Sequence, residues 1–463
     1  MTPITRLAGV VLAAGQGTRL KSARPKVLHP LGGRPLVLYA VEAVAAATGT
    51  TPVLVVGQDS AAVRAALDER ATYALQPEPL GTADAVRAAA AALKDRCDAV
   101  VVSYADMPLV RPETLRALVD RQAANPGPLT LLSLNSPHRG DFGRVVRDAS
   151  GEVQAVVEAA QATPAQLALT EVNVGAYCFN ADWLWPALAR LPLSPKGEYY
   201  LTDLVALAAA ENQPAAENQP AAEGGQVGSV TISDEDEVIG VNNRVQLAQA
   251  ETALRQRINT RWMLAGVTLA DPATTYIEPG AELGPDTVVL PNTHIQGRSV
   301  VGADCVIGPN TILRDTTIGD RCQVECSVLE GAWLAEEVSV GPFAHLRPGA
   351  RLERGVHMGN FGEVKNSTLG PGVKMGHFSY LGDATLGPEV NVGAGTITCN
   401  FDGVRKNPTV IGEGAFIGSD TMLVAPVTVG AGARTGAGAV VTKSVPPDTL
   451  AVGVPARAIR KLK

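Results

Sequence analysis

The chain has 463 residues, of which 46% are hydrophobic and 18% charged, so two or three globular domains are expected. A formal net charge of −7 argues against a general nucleic-acid binder, and any anionic ligand must be held by local basic groups. No run reaches the ~18 apolar residues of a membrane span. The six cysteines include no CxxC pair, which disfavours a zinc knuckle or redox motif and suits reduced thiols in a cytoplasmic protein.

The opening stretch Leu7 to Gly15 imitates the apolar core of a signal peptide, but a single Arg6 precedes it and a glycine-rich basic loop follows. Val10-Val11-Leu12 is therefore predicted as a buried, central parallel strand. The loop Ala13 to Arg19 comes next, with small residues that let backbone N–H groups approach a phosphate. Arg19, Lys21, Arg24 and Lys26 cluster behind it, which makes the segment a phosphate-binding candidate. Strand-like runs recur at Val53 to Gly57, Ala99 to Val102 and Leu129 to Leu132, with alanine-rich helical stretches at 36–47, 60–70 and 83–94. Strands alternating with helices predict an α/β fold, a Rossmann-like, mostly parallel sheet with helices on both faces. Ligands of such sheets bind at the carboxyl ends of strands, where Asp106 falls. With a phosphate loop nearby, Asp106 is a candidate Mg²⁺ ligand, because Mg²⁺ takes a carboxylate or two plus substrate phosphates. The hexapeptide AENQPA at 210–215 repeats at 216–221 and reads as a mobile surface loop with no assigned function.

From Val241 to Ala265 there is no Gly or Pro, and Leu247, Ala250, Leu254, Ile258 and Trp262 recur at helical spacing. One long linker helix over 245–266 is expected, between a domain at 1–244 and another at 267–463. In the second domain Ile277, Leu283, Val289, Ile295, Val301, Ile307 and Leu313 stand six apart, often with Gly next. Six residues rotate a helical position by about 240°, so the beat is not helical. It predicts short strands and turns stacked as a parallel β-helix of hexapeptide repeats. The beat is poorest near 358–411, and the run Cys399 to Thr409 should project as a loop. Arg347, Lys365, His377, Tyr380 and Asn391 gather in that irregular part. They offer cations for a phosphorylated ligand and an imidazole able to act as a base near neutral pH.

The strings LAAGQGTR, RPKVLH, LGTADA, EVNVGAY, GEYYLTD and GVNNR resemble the sugar-nucleotidyltransferase domain of the bacterial bifunctional N-acetylglucosamine-1-phosphate uridyltransferase/glucosamine-1-phosphate acetyltransferase family. LRPGA, GNFGEVKN, GHFSYLGD and VNVGAGTITCNFDG resemble the left-handed β-helical acetyltransferase domain of the same family. The resemblance implies acetyl transfer from acetyl-CoA to glucosamine 1-phosphate, then uridylyl transfer from UTP. The product, UDP-N-acetylglucosamine, would feed peptidoglycan and lipopolysaccharide synthesis. The uridine nucleotide would be held by Leu12, Ala13, Ala14, Gly15, Gln76, Gly81, Thr82, Tyr104 and Ala105. Arg19 and Lys26 would stabilise its phosphates, while Gly143, Glu158 and Asn173 would contact the amino-sugar. Asp106 and Asn242 would hold Mg²⁺.

In the second domain the resemblance makes His377 the general base for the 2-amino group. Arg347 and Lys365 would bind the sugar phosphate, with Tyr380 and Asn391 as polar partners. Ala394, Asn400, Phe401, Ser419 and Ala437 would form the acetyl-CoA site, and the protein would be a homotrimer. Departures from the family pattern are Ala105 for Gly, Ala159-Ala160-Gln161 for His-Lys-Asp, Phe401 for Tyr, His345 for Arg and Gly453 for a coenzyme A arginine; either Arg457 or Arg460 replaces that arginine or the two belong to a solvated basic tail. Two other readings are a single-activity nucleotidyltransferase whose coil is structural or regulatory, and a non-catalytic scaffold.

Overall fold

The structure is a computed structural model that describes residues 4–15, 17–125, 127–138, 140–211 and 226–461. The AENQPA repeat lies outside the described residues beyond Glu211. The chain divides into two compact units, Met1–Ala253 and Leu254–Lys463, and the division falls within the helix Arg244–Leu264.

The first unit is a mixed sheet built on β1 (Leu7–Leu12), β2 (Val53–Val56), β3 (Thr72–Leu75), β4 (Ala99–Tyr104), β5 (Leu129–Asn135), β6 (Arg144–Arg147), β7 (Val153–Val157), β8 (Glu171–Asn180) and β9 (Gly228–Ile232). Its order is β9-β5-β8-β4-β1-β2-β3, with β6 attached to β8 and β7 to β6. Strands β3, β2, β1 and β4 are parallel, as is the pair β5 and β9. β8 alone on this path runs antiparallel, against both β4 and β5. Val10 and Val11 are fully buried, each on one face of the sheet, as a strand covered on both sides requires. The helix Leu36–Thr48 and the helix Pro112–Ala124 pack on the Val11 face, while Thr82–Ala88 and Ala181–Arg190 cover the Val10 face.

The second unit is a parallel β-helix. Three sheets of twelve, ten and nine strands form its sides, and within the coil each strand pairs parallel with the one a coil later. Val289, Ile307, Val324, Val340, Met358, Met375, Val392 and Ile417 lie in one register and are all buried. The six-residue beat is thus one inward side chain per face of the coil. Its turns need a left-handed residue, and Asp286, Asn292, Asp304, Asn310, Asp315, Asn366, Asp383, Asp420 and Asp448 supply it at φ between 45° and 60°. Asn and Asp tolerate that region because their short side chains hydrogen-bond locally. The segment between the strands Ile397–Cys399 and Thr409–Ile411 leaves the coil as predicted, with Phe401 and Val404 at its exposed tip. The terminal strand Ala456–Lys461 turns back antiparallel on Thr449–Gly453.

Candidate active sites

In the first unit the parallel pairing sets Leu12 beside Tyr104, so the loops leaving β1 and β4 emerge together at the carboxyl edge. The Ala13 N–H donates to the Val55 carbonyl at 2.9 Å and the Ala105 N–H to the Leu12 carbonyl at 3.0 Å, which pins both loops. A cavity of ≈330 Å³ opens above them. Leu12, Ala13, Ala14, Gly15, Lys26, Gln76, Gly81, Thr82, Tyr104 and Asp106 line it, with Glu198 and Tyr200. A second cavity of ≈550 Å³ shares Ala13, Ala14, Gly15, Lys26 and Gln76 and continues over Ser22 to Val27 and Val56 to Ser60. Ala105 is not in either wall; its methyl is fully buried in the core below.

The charged centre is the Lys26 ammonium. It donates to Asp106 Oδ2 at 2.5 Å and to Asn242 Oδ1 at 2.7 Å, and Arg19 donates to the same Asn242 oxygen at 2.9 Å. Lys26 can sit there because residue 17 is glycine at φ 62°; a Cβ would lie 2.4 Å from the Cβ of Lys26. Asn242 is presented by its own helix start, where its N–H donates to Gln246 Oε1 at 2.8 Å, and the Val241 N–H ties that segment to the Asp106 carbonyl. Two hard oxygens therefore converge on one cation. That donor set fits Mg²⁺, which prefers oxygen ligands and keeps substrate phosphates and water in its remaining positions. Among the described residues no cluster of three or more His, Cys, Asp or Glu could hold a metal alone.

The predicted sugar contacts meet on the Tyr104 side. The Asn173 N–H donates to the Gly143 carbonyl at 2.8 Å, and a Cβ on Gly143 would stand 3.8 Å from the Cα of Glu158. Glu158 Oε1 accepts from the Thr202 hydroxyl at 3.0 Å. Burial, reinforced by Glu158, pushes the Tyr104 phenol well above its usual range, although a hydrogen bond with Thr82 opposes the shift. Gln76 donates to the Gly81 carbonyl and to Asp84, both at 3.0 Å, fixing its amide at the cavity wall.

In the second unit the ten-stranded sheet lines up His345, Glu363 and Tyr380 on its outer face. Arg347 donates to Glu363 at 2.9 Å, and that carboxylate raises its pKa further. Lys365 lies against Lys406 of the projecting loop. The contact with that second amine, and its charge, hold the Lys365 pKa below an ordinary lysine, with burial and Arg347 adding to the shift. Asn400 donates to Asp383 at 2.6 Å, and its amide lies 3.5 Å from the Tyr380 hydroxyl. Phe401 bridges antiparallel to Lys406 and stays exposed. Arg347, Lys365, Tyr380 and Asn400 thus share one polar face.

His377 belongs to a neighbouring corner. The strands of the twelve-stranded sheet place His357, Lys374, Asn391, Phe416 and Arg434 in register. Three residues further on in each coil come Asn360, His377, Ala394, Ser419 and Ala437, which makes them one row of turns. Backbone bonds from Asp420 N–H to the Ala394 carbonyl and from Gly438 N–H to the Ser419 carbonyl hold the row. His377 Nδ1 and Asn360 Oδ1 are 3.3 Å apart. With Nδ1 donating to that oxygen, Nε2 is the ring nitrogen placed to accept a proton. Asn391 stands off this row, on the sheet face between Lys374 and Phe416. His345 faces Glu330 at 3.2 Å.

Sequence reasoning passed over Asn360, Glu363, Lys406, Glu198 and Tyr200. Asn360 and Glu363 lie in GNFGEVKN, and Glu198 and Tyr200 in GEYYLTD, so membership of those strings is the signal that points to them. Gly453 ends the strand Thr449–Gly453, while Arg457 and Arg460 are exposed on the last strand.

Residues 9–202 match the model of the MobA-like NTP transferase domain, and residues 280–315 and 408–443 match that of the bacterial transferase hexapeptide of six repeats. The protein named "Bifunctional protein GlmU" from Heliobacterium modesticaldum is 44% identical over 444 residues, covering 96% of this chain and 94% of its own. Its namesake from Trichlorobacter lovleyi is 44% identical over 449 residues, with 96% and 95% covered. That from Streptococcus equi subsp. zooepidemicus is 41% identical over 445 residues, with 96% and 94% covered.

Proposed function

The chain belongs to the family of the bifunctional GlmU proteins, and from that premise we propose how its two sites divide the work. The protein is a bifunctional transferase of UDP-N-acetylglucosamine synthesis, a uridyltransferase and an acetyltransferase in one chain, and so supplies a cell-wall precursor. The convergence of Lys26, Asp106, Asn242 and Arg19 at the mouth of a glycine-rich loop is the observation that carries the division of labour.

In the first unit UTP occupies the cavity over Ala13 to Gly15, with Gln76, Gly81 and Thr82 against the nucleoside. A phosphate oxygen of N-acetylglucosamine 1-phosphate attacks the α-phosphorus. One P–O bond forms, the bond to the β-phosphate breaks, and pyrophosphate leaves with the electron pair. The nucleophile is already anionic, so positioning and charge neutralisation suffice. Lys26 and Arg19 supply fixed cations for the charge that shifts onto the leaving group. Asp106 and Asn242 would hold Mg²⁺, which when bound neutralises phosphate charge. In the second unit Nε2 of His377 takes a proton from the 2-amino group of glucosamine 1-phosphate as that nitrogen attacks the thioester of acetyl-CoA. The thiolate of coenzyme A leaves and is protonated. Arg347 and Lys365 neutralise the sugar phosphate, with Tyr380 and Asn391 as polar partners. Ala394, Ser419, Ala437, Asn400 and Phe401 receive acetyl-CoA, and the shared row of turns supports the link between that pocket and His377.

The protein acts in the cytoplasm; no described helix is long and apolar enough to cross a membrane. It assembles as a homotrimer through the β-helix, a reading supported by three exposed phenylalanines, Phe343, Phe361 and Phe378, along one corner of the coil. Pyrophosphate and free thiol, followed separately with purified protein, test the assignment. Asp106→Ala should abolish pyrophosphate release and spare thiol release, and His377→Ala should do the reverse. Loss of both activities in either folded variant would refute two independent sites.

A further inference from the structure

Asn173 and Tyr177 lie on either side of an irregularity in β8, where the register against β5 shifts. The shift centres on Gly175 at φ 95°, and it brings the two side chains together. Asn173 Nδ2 donates to the Tyr177 hydroxyl at 2.7 Å, while Asn173 Oδ1 accepts from the Gly175 N–H at 3.3 Å. Tyr177 is fully buried, stacked on Phe179 with centroids 5.4 Å apart, and Asn173 keeps 8% exposure. The two partners decide which end of the amide is which. A half-turn about the terminal bond would set an N–H against the Gly175 N–H. The native orientation leaves one N–H of Nδ2 and one lone pair of Oδ1 for a ligand.

We infer that Tyr177 is a positioning residue of the uridyltransferase site: untouched by substrate, it holds the Asn173 amide in the one orientation that can read the acylamino and hydroxyl groups of the amino-sugar. The inference rests on Asn173 being a sugar contact. Burial holds the phenol of Tyr177 neutral, so it accepts this hydrogen bond at every working pH. Loss of the hydroxyl leaves only the longer Gly175 bond to resist the half-turn. The ligand would then meet a donor in place of an acceptor in a share of the molecules.

The test compares Asn173→Ala, Tyr177→Phe and the double variant by pyrophosphate release, with N-acetylglucosamine 1-phosphate and UTP varied in turn. Tyr177→Phe should raise KM for the sugar phosphate about five- to tenfold, the size of one hydrogen bond. It should leave kcat and the KM for UTP within about twofold, since a general loss of structure would move both. In the Asn173→Ala background it should add nothing. If Asn173→Ala leaves the sugar KM unchanged, the reading of Asn173 itself is wrong. If Asn173→Ala raises it and Tyr177→Phe does not, only the positioning role is lost. An equal effect of Tyr177→Phe in both backgrounds also overturns it, because the tyrosine would then act without the amide. Tyr177→Leu, which also lacks the hydroxyl, serves the same comparison where the phenylalanine variant does not fold.

Discussion

The pairing of Lys365 with Lys406 gives the proposed acetyl-transfer site a defined pH response. The neighbouring amine depresses the Lys365 pKa, so Lys365 loses its proton at a lower pH than a free lysine. The Lys365 contribution to affinity for glucosamine 1-phosphate is then present at neutral pH and falls as the pH rises, with the fall starting below the ordinary lysine range near ~10.4. Lys406→Ala removes the main cause of the depression. It should weaken binding at neutral pH and move the alkaline fall to higher pH, which titration calorimetry across a pH series would record. A fall that stays in place would show that Lys406 does not set it. Lys406 illustrates what the sequence withholds at this scale. It reads as one cation in a loop, and its partner lies 41 positions upstream by count along the chain. Asn360 is similar, since its link to His377 depends on the length of the coil between them and not on either residue. The cations of the first loop were legible because Arg19, Lys21, Arg24 and Lys26 cluster behind glycines in sequence itself.

Among the elements, β8 is where the sequence said least. Its apolar run reads the same in either direction, and nothing local announces that it lies antiparallel between two strands of the opposite sense. The parallel strands β1, β2 and β4 were legible from continuous Val-rich runs between helical stretches, and the coil from its beat. Gly175 makes the bend in β8 possible. It stands at φ 95°, and a Cβ there would lie 3.0 Å from the Tyr104 ring. Gly175→Ala should cost about 1–3 kcal/mol through the left-handed backbone alone. It should also push Tyr104 into the cavity. A lowered denaturation midpoint with weaker UTP binding is the expected outcome, measured by urea titration and calorimetry. A variant of unchanged stability and affinity would mean that the bend relaxes without strain.

At the level of the whole molecule, the exposed corner of the coil predicts its assembly. Phe343 and Phe361 stack with centroids 5.3 Å apart and remain 58% and 60% exposed. Two bulky residues at left-handed φ, open to solvent, are costly for a lone chain and call for a covering partner. Phe343→Ser with Phe361→Ser should lower the sedimenting mass from that of the proposed trimer towards that of a single chain. Acetyl transfer should fall with it, while pyrophosphate release persists. A trimer that survives both changes would place its interface elsewhere. The turn row that carries His377, Ala394, Ser419 and Ala437 has a further meaning. Successive rungs of a parallel ladder are ~4.8 Å apart, so the row is graduated like a ruler, and three divisions span roughly 14 Å. On the proposed assignment the acetyl-CoA thioester is measured against it. Inserting one whole coil between the histidine and Ser419 would preserve every inward and outward side chain. It would still move the far end of the gauge by one mark, and the lengthened protein would fit an acyl donor longer by that increment.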